Sequence, residues 1–125
     1  MDSSSSVRIF AKRVETDLTV VDIALLNAGE QVKDYKLSPE GWEETLQVNV
    51  LATTLLGTLL IPKLKASKRD GVKTPHLDIV ASTRSRSVEC GVFNTIETEG
   101  VLKKYNTREP FSMMHRYSLS KLLVM

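Results

Sequence analysis

Two short, almost wholly apolar runs, "VVDIALLNAG" at 20–29 and "LDIVAS" at 77–82, restrict the fold of this chain more than any other feature. Neither shows the in–out alternation of a strand with one wet face, so both read as parallel strands covered on both faces. Parallel strands cannot be joined by a tight turn and need a long, usually helical, crossover. The segment between them supplies it. Residues 44–66, with Leu46, Val50, Leu55, Leu59 and Leu60, predict one long apolar helix, bent at Gly57 and stopped or kinked at Pro62. Strand, helix and strand in that order make a right-handed crossover unit of an α/β protein.

Other elements attach to this unit. Residues 4–16 predict a helix with Val7, Phe10, Ala11 and Val14 on its apolar face and a serine as its cap. Pro39 predicts a short helical turn around "PEGWEE". The stretch 83–112 has no strong period and contains Gly91, Gly100 and Pro110, which predicts a surface excursion with short helical pieces. A further helix starts near Met113. At 125 residues and 42% hydrophobic content, the chain suits one domain with a real core.

Composition narrows the function classes. The net charge is +2, and the basic groups are spread over 63–73, 84–86 and 103–108, so no nucleic-acid partner is expected. A single cysteine, Cys90, allows no internal disulfide, and the isolated His76 and His115 give no metal site. The most apolar run, 48–64, carries Asn49, threonines and Pro62 and is shorter than a typical membrane span. The N-terminal "MDSSSSVRIFAKR" has no apolar core of a secretory signal. A soluble, cytoplasmic chain without a membrane span is expected.

The chemistry-bearing pair lies in "RYSLSKLLVM". On a helix, Tyr117 and Lys121 leave one face, four residues apart, so an ammonium can lie beside a phenol. A nearby cation favours the phenolate, which turns a poor acid or base into a usable one. Asn49 is a second signal, because an amide in an apolar helix must find partners or cost free energy. Each residue also has a plainer account. Tyr117 suits a core edge, Lys121 a wet surface, and Ser82 a cap on the second strand; with a shifted register, Thr83 or Ser85 would take the place of Ser82.

Taken together, "LLNAG" at 25–29, "LQVNVL" at 46–51, "HLDIVAS" at 76–82 and "RYSLSKLL" at 116–123 occur in an order that resembles the short-chain dehydrogenase/reductase family. The resemblance implies a partial Rossmann-like, doubly wound parallel sheet. Tyr117 would exchange a proton with the substrate oxygen, and Lys121 would lower the pKa of Tyr117 and hold the nicotinamide ribose. Ser82 would hydrogen-bond the carbonyl or alcohol oxygen, and Asn49 would hold a relay water. Asn27, Ala28 and Gly29 would pass close to the cofactor, expected to be NADP with NAD not excluded. The substrate would be a small carbonyl or secondary alcohol, and the apolar run 48–61 would support a homo-oligomer through the long helix.

The departures are equally specific. Leu26 stands where the family motif has its first Asn, and none of the 26 residues before Asn27 is glycine. By this resemblance, residues 1–125 form an incomplete NAD(P)-binding domain without the Gly-rich first βα unit and the C-terminal strands. Both strands would then be exposed edges. The alternative reading is an inactive fragment of the family, or a non-catalytic module that binds another protein.

Overall fold

The computed structural model describes residues 1–89 and 100–125. Cys90 and Gly91, singled out above, lie outside the described residues. Helix α1 (Ser4–Asp17) opens where the Ser3 hydroxyl accepts the Ser6 N–H, and buries Val7 and Ala11. Strand β1 (Ile23–Leu26) runs parallel to β2 (His76–Ile79), with Ile23 opposite His76 and Leu26 opposite Ile79. Between them lies one continuous helical run. It begins as α2 (Glu44–Leu46), widens into a π-helical segment (Gln47–Ala52), and continues as α3 (Thr53–Ala66). A 3-10 turn (Thr83–Ser87), α4 (Gly100–Tyr105) and α5 (Met113–Leu123) complete the order among the described residues.

One core forms between the two long helices and β1. Val7 and Ala11 of α1, Ala24 and Leu26 of β1, and Ala52, Leu56, Leu60 and Leu64 of the crossover helix pack together. Burying each leucine contributes roughly 1.5–3 kcal/mol. Gly57, expected as a bend, lies against both strands. A Cβ there would stand 3.3 Å from Leu26 Cδ1 and 3.5 Å from Leu77 Cδ2, so the missing side chain sets how closely α3 approaches the sheet.

Three expectations need correcting. The strands are four residues each, and β1 is covered on one face only. Ala24 and Leu26 are buried, whereas Ile23 and Leu25 are 65% and 61% exposed, because α1 and α3 both contribute to the core on the Ala24 and Leu26 side. Pro62 does not stop the helix, which runs on to Ala66. Pro62 and Thr58 are both exposed, so water can satisfy the carbonyl that the missing N–H leaves open. Finally, Pro39 begins no helical turn. The Ser38 N–H donates to the Trp42 carbonyl at 2.7 Å and the Gly41 N–H to the Ser38 carbonyl at 3.0 Å, while Gly41 takes φ +79°. Only glycine adopts that region without strain.

The run Glu44–Ala66 is long and apolar enough to cross a membrane by length and composition, but 61% of its most apolar window is buried within the fold. That burial is what a core helix shows. Gly57→Val is expected to lower the stability of the chain by about 1–3 kcal/mol, through overpacking against Leu26 and Leu77. An unchanged urea midpoint would show that the helix does not sit this close to the strands.

Candidate active site

The ends of β1 and β2, the π-helical segment and α5 meet at one corner, and the Asn49 side chain joins three of them. Strand β1 ends where the Asn27 N–H turns back to the Leu25 carbonyl at 3.2 Å, releasing Ala28, Gly29 and Glu30 toward the π segment. There the Asn49 Oδ1 accepts the Glu30 N–H at 2.8 Å, and its Nδ2 donates to the Glu30 carbonyl at 2.8 Å. The same Nδ2 donates to Ser120 Oγ on α5 at 2.9 Å. Ser120 in turn donates to the Tyr117 carbonyl at 2.8 Å. Asn49 and Ser120 are both fully buried, and the bond between them is sheltered from water.

The amide of Asn49 is thus committed at both N–H groups. A relay water held by Asn49 would have to bind at Oδ1 or at the backbone carbonyl. The π segment accounts for why this residue reaches two chain segments at once, since a widened turn re-aims the side chains it carries.

Lys121 is buried beside this junction. Its Nζ donates to the Val80 carbonyl just beyond β2 at 2.9 Å, and lies 5.8 Å from the centroid of the Tyr117 ring. Tyr117 is half-buried. Gly29 fills the remaining gap. A Cβ at Gly29 would stand 3.2 Å from Asn49 Oδ1 and 3.3 Å from Lys121 Nζ, so glycine is what lets the strand end, the amide and the ammonium close on one point.

Asn27 and Ala28 are exposed and line one end of an apolar cleft of about 430 Å³, which runs along β1 past Phe10, Leu18 and Ile23. Ser82 is half-buried, and its hydroxyl accepts the Arg84 N–H at 3.3 Å as the cap of the 3-10 turn. Ser85 is buried and donates to the Ser82 carbonyl at 2.7 Å, whereas Thr83 is exposed. A Ser87–Ser118 hydroxyl contact of 3.1 Å fastens this turn to α5. Among the described residues no group of His, Cys, Asp or Glu could hold a metal ion. The His115 ring packs instead on Tyr105, at 5.7 Å between centroids.

Several residues of the corner were not singled out in the sequence. Ser120 could have been, as a small polar residue one place before the lysine on the face that carries Leu119. Glu43 and Arg116 could not, because patterning assigns charged residues to the surface. Glu43 is fully buried, and its carboxylate accepts the Thr45 and Leu46 N–H groups, both at 3.1 Å, at the start of the crossover helix. Glu30 carries a buried Oε1 with no hydrogen-bond partner among the described residues. Burial pushes its carboxyl above the ordinary carboxylate range, the negative charge of Glu44 adds to this, and Lys36 opposes it.

No protein-family profile matches the sequence. Curated proteins do. The chain is 40% identical over 125 residues to the short-chain dehydrogenase/reductase ffsI of Aspergillus flavipes, covering 100% of this chain and 36% of that protein. It is 40% identical over 123 residues to the short-chain dehydrogenase/reductase phmF of Phaeosphaeria nodorum, covering 98% of this chain and 36% of that protein. The short chain dehydrogenase virL of Hypocrea virens is 43% identical over 126 residues, with 98% of this chain and 35% of that protein covered. The chain belongs to the short-chain dehydrogenase/reductase family. It spans about a third of the length of these relatives. A short-chain dehydrogenase of Escherichia coli, solved with NADPH, superimposes with a TM-score of 0.59 at 22% identity, over 98% of this chain and 41% of that one. That likeness bears out the partial Rossmann-like α/β fold.

Two outcomes follow for this family member. Ser120→Ala leaves a buried Asn49 N–H unpaired and should cost about 1–3 kcal/mol in denaturant unfolding; no loss would mean the junction contributes nothing. The folded chain holds the Glu30 proton more tightly than the unfolded chain does, so stability falls as pH rises from the ordinary carboxylate value through the raised one. Glu30→Gln should therefore raise the melting temperature relative to the unsubstituted chain at pH 7 and lose that advantage near pH 4. An equal difference at both pH values would contradict the assignment.

Proposed function

We propose that this chain carries the proton-transfer part of an NADP-dependent oxidoreductase that interconverts a small carbonyl compound and its secondary alcohol. The observation that carries the reading is the corner itself, where Lys121, the Tyr117 ring, Asn49 and Gly29 converge beyond the ends of two parallel strands. Ligands of open α/β sheets bind at that end of the strands. The names of the curated relatives support the same class of reaction.

In this reading Tyr117 gives a proton to the carbonyl oxygen, or takes one from the alcohol. Ser82 steadies the same oxygen once its hydroxyl turns from the Arg84 N–H. Lys121 keeps two N–H groups beyond the one given to Val80, enough for a pair of ribose hydroxyls. Gly29 admits close backbone approach, with Asn27 and Ala28 beside it. Asn49 holds α5 in register. The nicotinamide, when bound, supplies or accepts the hydride.

These residues fit the nicotinamide-ribose end of such a cofactor. They include no glycine before Gly29, so they supply no Gly-rich turn for the pyrophosphate. In this reading residues 1–125 contribute the nicotinamide-ribose part of an NAD(P)-binding domain. NADP is preferred over NAD because the Escherichia coli neighbour was solved with NADPH. The cytoplasm is the proposed location. A homo-oligomer would use the half-buried Leu51, Leu55 and Leu59 of the long helix with the exposed Ile61.

A second reading rests on a different observation. Ile23 and Leu25 are exposed beside the apolar cleft, as on a non-catalytic module awaiting a protein partner. One experiment separates the two. The first reading expects one-site NADPH binding by calorimetry and carbonyl-dependent NADPH oxidation that falls at least about 100-fold in Tyr117→Phe, with the fold intact. A folded chain that takes up no NADPH would overturn it in favour of the second.

A further inference from the structure

Arg116, immediately before the candidate acid/base, is the most unusual charge among the described residues. It is only 2% exposed, and its partner Glu43 is fully buried. The Arg116 Nε stands 3.8 Å from Glu43 Oε2, within ion-pair range but beyond a hydrogen bond. Its Nη2 donates to the Thr107 carbonyl at 3.2 Å, while Nε and Nη1 have no hydrogen-bond partner among the described residues. The guanidinium carbon lies 5.5 Å from the Tyr105 ring centroid and 5.6 Å from that of Phe111. Burial draws its pKa below the ordinary arginine value, and the Glu43 charge resists this.

As a source of stability this is a poor arrangement. Desolvating two charges costs several kcal/mol per ion, and an apolar side chain of similar volume often serves as well or better. What an apolar residue cannot supply is a fixed direction. The planar guanidinium is held at three points: Glu43 at the start of the helix that carries Asn49, the Thr107 carbonyl, and the two rings of the 100–111 excursion. That excursion is itself tied down. Asn106 Oδ1 accepts the Glu43 N–H at 2.7 Å and its Nδ2 donates to the Gly41 carbonyl at 2.9 Å, while Tyr35 meets Phe111 edge-on at 5.8 Å.

Adjacent residues on an α-helix are about 100° apart, so fixing the plane of residue 116 fixes the direction of residue 117. We propose that Arg116 is a positioning residue, whose clamp on Glu43, Tyr105, Thr107 and Phe111 sets the rotation of α5 and so aims the Tyr117 phenol. It touches neither substrate nor cofactor and acts through Tyr117 alone. The inference rests on the reading of Tyr117 as acid/base.

The test compares the unsubstituted chain with Arg116→Met and with the double variant Glu43→Gln, Arg116→Met. The double variant leaves no unpaired buried charge and keeps an oxygen to cap Thr45, so it stays folded even where the single variant fails. Expected in the double variant are an unchanged or higher unfolding midpoint, NADPH affinity and KM within about threefold, and a kcat lower by about 100-fold, as for a reacting group moved by roughly 1 Å. The nuclear Overhauser contact between the Tyr117 ring and the Lys121 side chain should also weaken. A folded double variant that keeps both kcat and that contact would overturn the proposal. If the unsubstituted chain turns over no carbonyl substrate, the functional reading fails on its own, and the Tyr117–Lys121 contact alone decides whether Arg116 positions α5.

Discussion

The arrangement of the site depends on one buried amide. Asn49 sits in an apolar helix, where an unpaired side-chain amide would cost roughly 1–3 kcal/mol for each orphaned group. It meets that demand by bonding both backbone groups of Glu30 and the hydroxyl of Ser120. The consequence reaches well beyond one residue. The strand-end loop cannot drift from the crossover helix, and α5 cannot rotate without breaking the Ser120 bond. The convergence of Gly29, Lys121 and Tyr117 is secured by a polar network inside an otherwise apolar layer.

Two kinds of constraint divide the labour. The Ala24, Leu26, Leu56, Leu60 and Leu64 core places the helix on the sheet but is indifferent to small rotations. The polar contacts of Asn49, Lys121 and Arg116 are directional, and they act on the one helix whose rotation matters to the chemistry. Such a division explains why three side chains that patterning assigns to water are buried at this corner.

Much of this was legible in the sequence, for identifiable reasons. The two strands were legible as unbroken apolar runs, although neither is covered on both faces, and the helix starting near Met113 as the carrier of Tyr117 and Lys121. Both strands came out shorter than their apolar runs, since each pairs over only four residues. Pro62 was read as a stop or a kink; it is not a stop, because the Thr58 carbonyl it leaves without a donor lies on the exposed side of the helix. Pro39 misled because it can open either a helix or a turn, and Gly41, free to take φ +79°, decided for the turn. The π segment left no trace in the periodicity, being a widening of one turn. Arg116 and Glu43 were illegible on principle: burial of a charge is decided by partners 73 residues apart in sequence, and no local pattern records it.

The most direct measurement is solvent exchange at the Asn49 side-chain amide, followed by nuclear magnetic resonance. If the junction to Glu30 and Ser120 holds α5 in place, both Nδ2 protons should exchange many-fold more slowly than those of the exposed Asn27. Exchange of Asn49 at the rate of a free amide would show that the junction is absent in solution, and with it the geometry assigned to Tyr117 and Lys121.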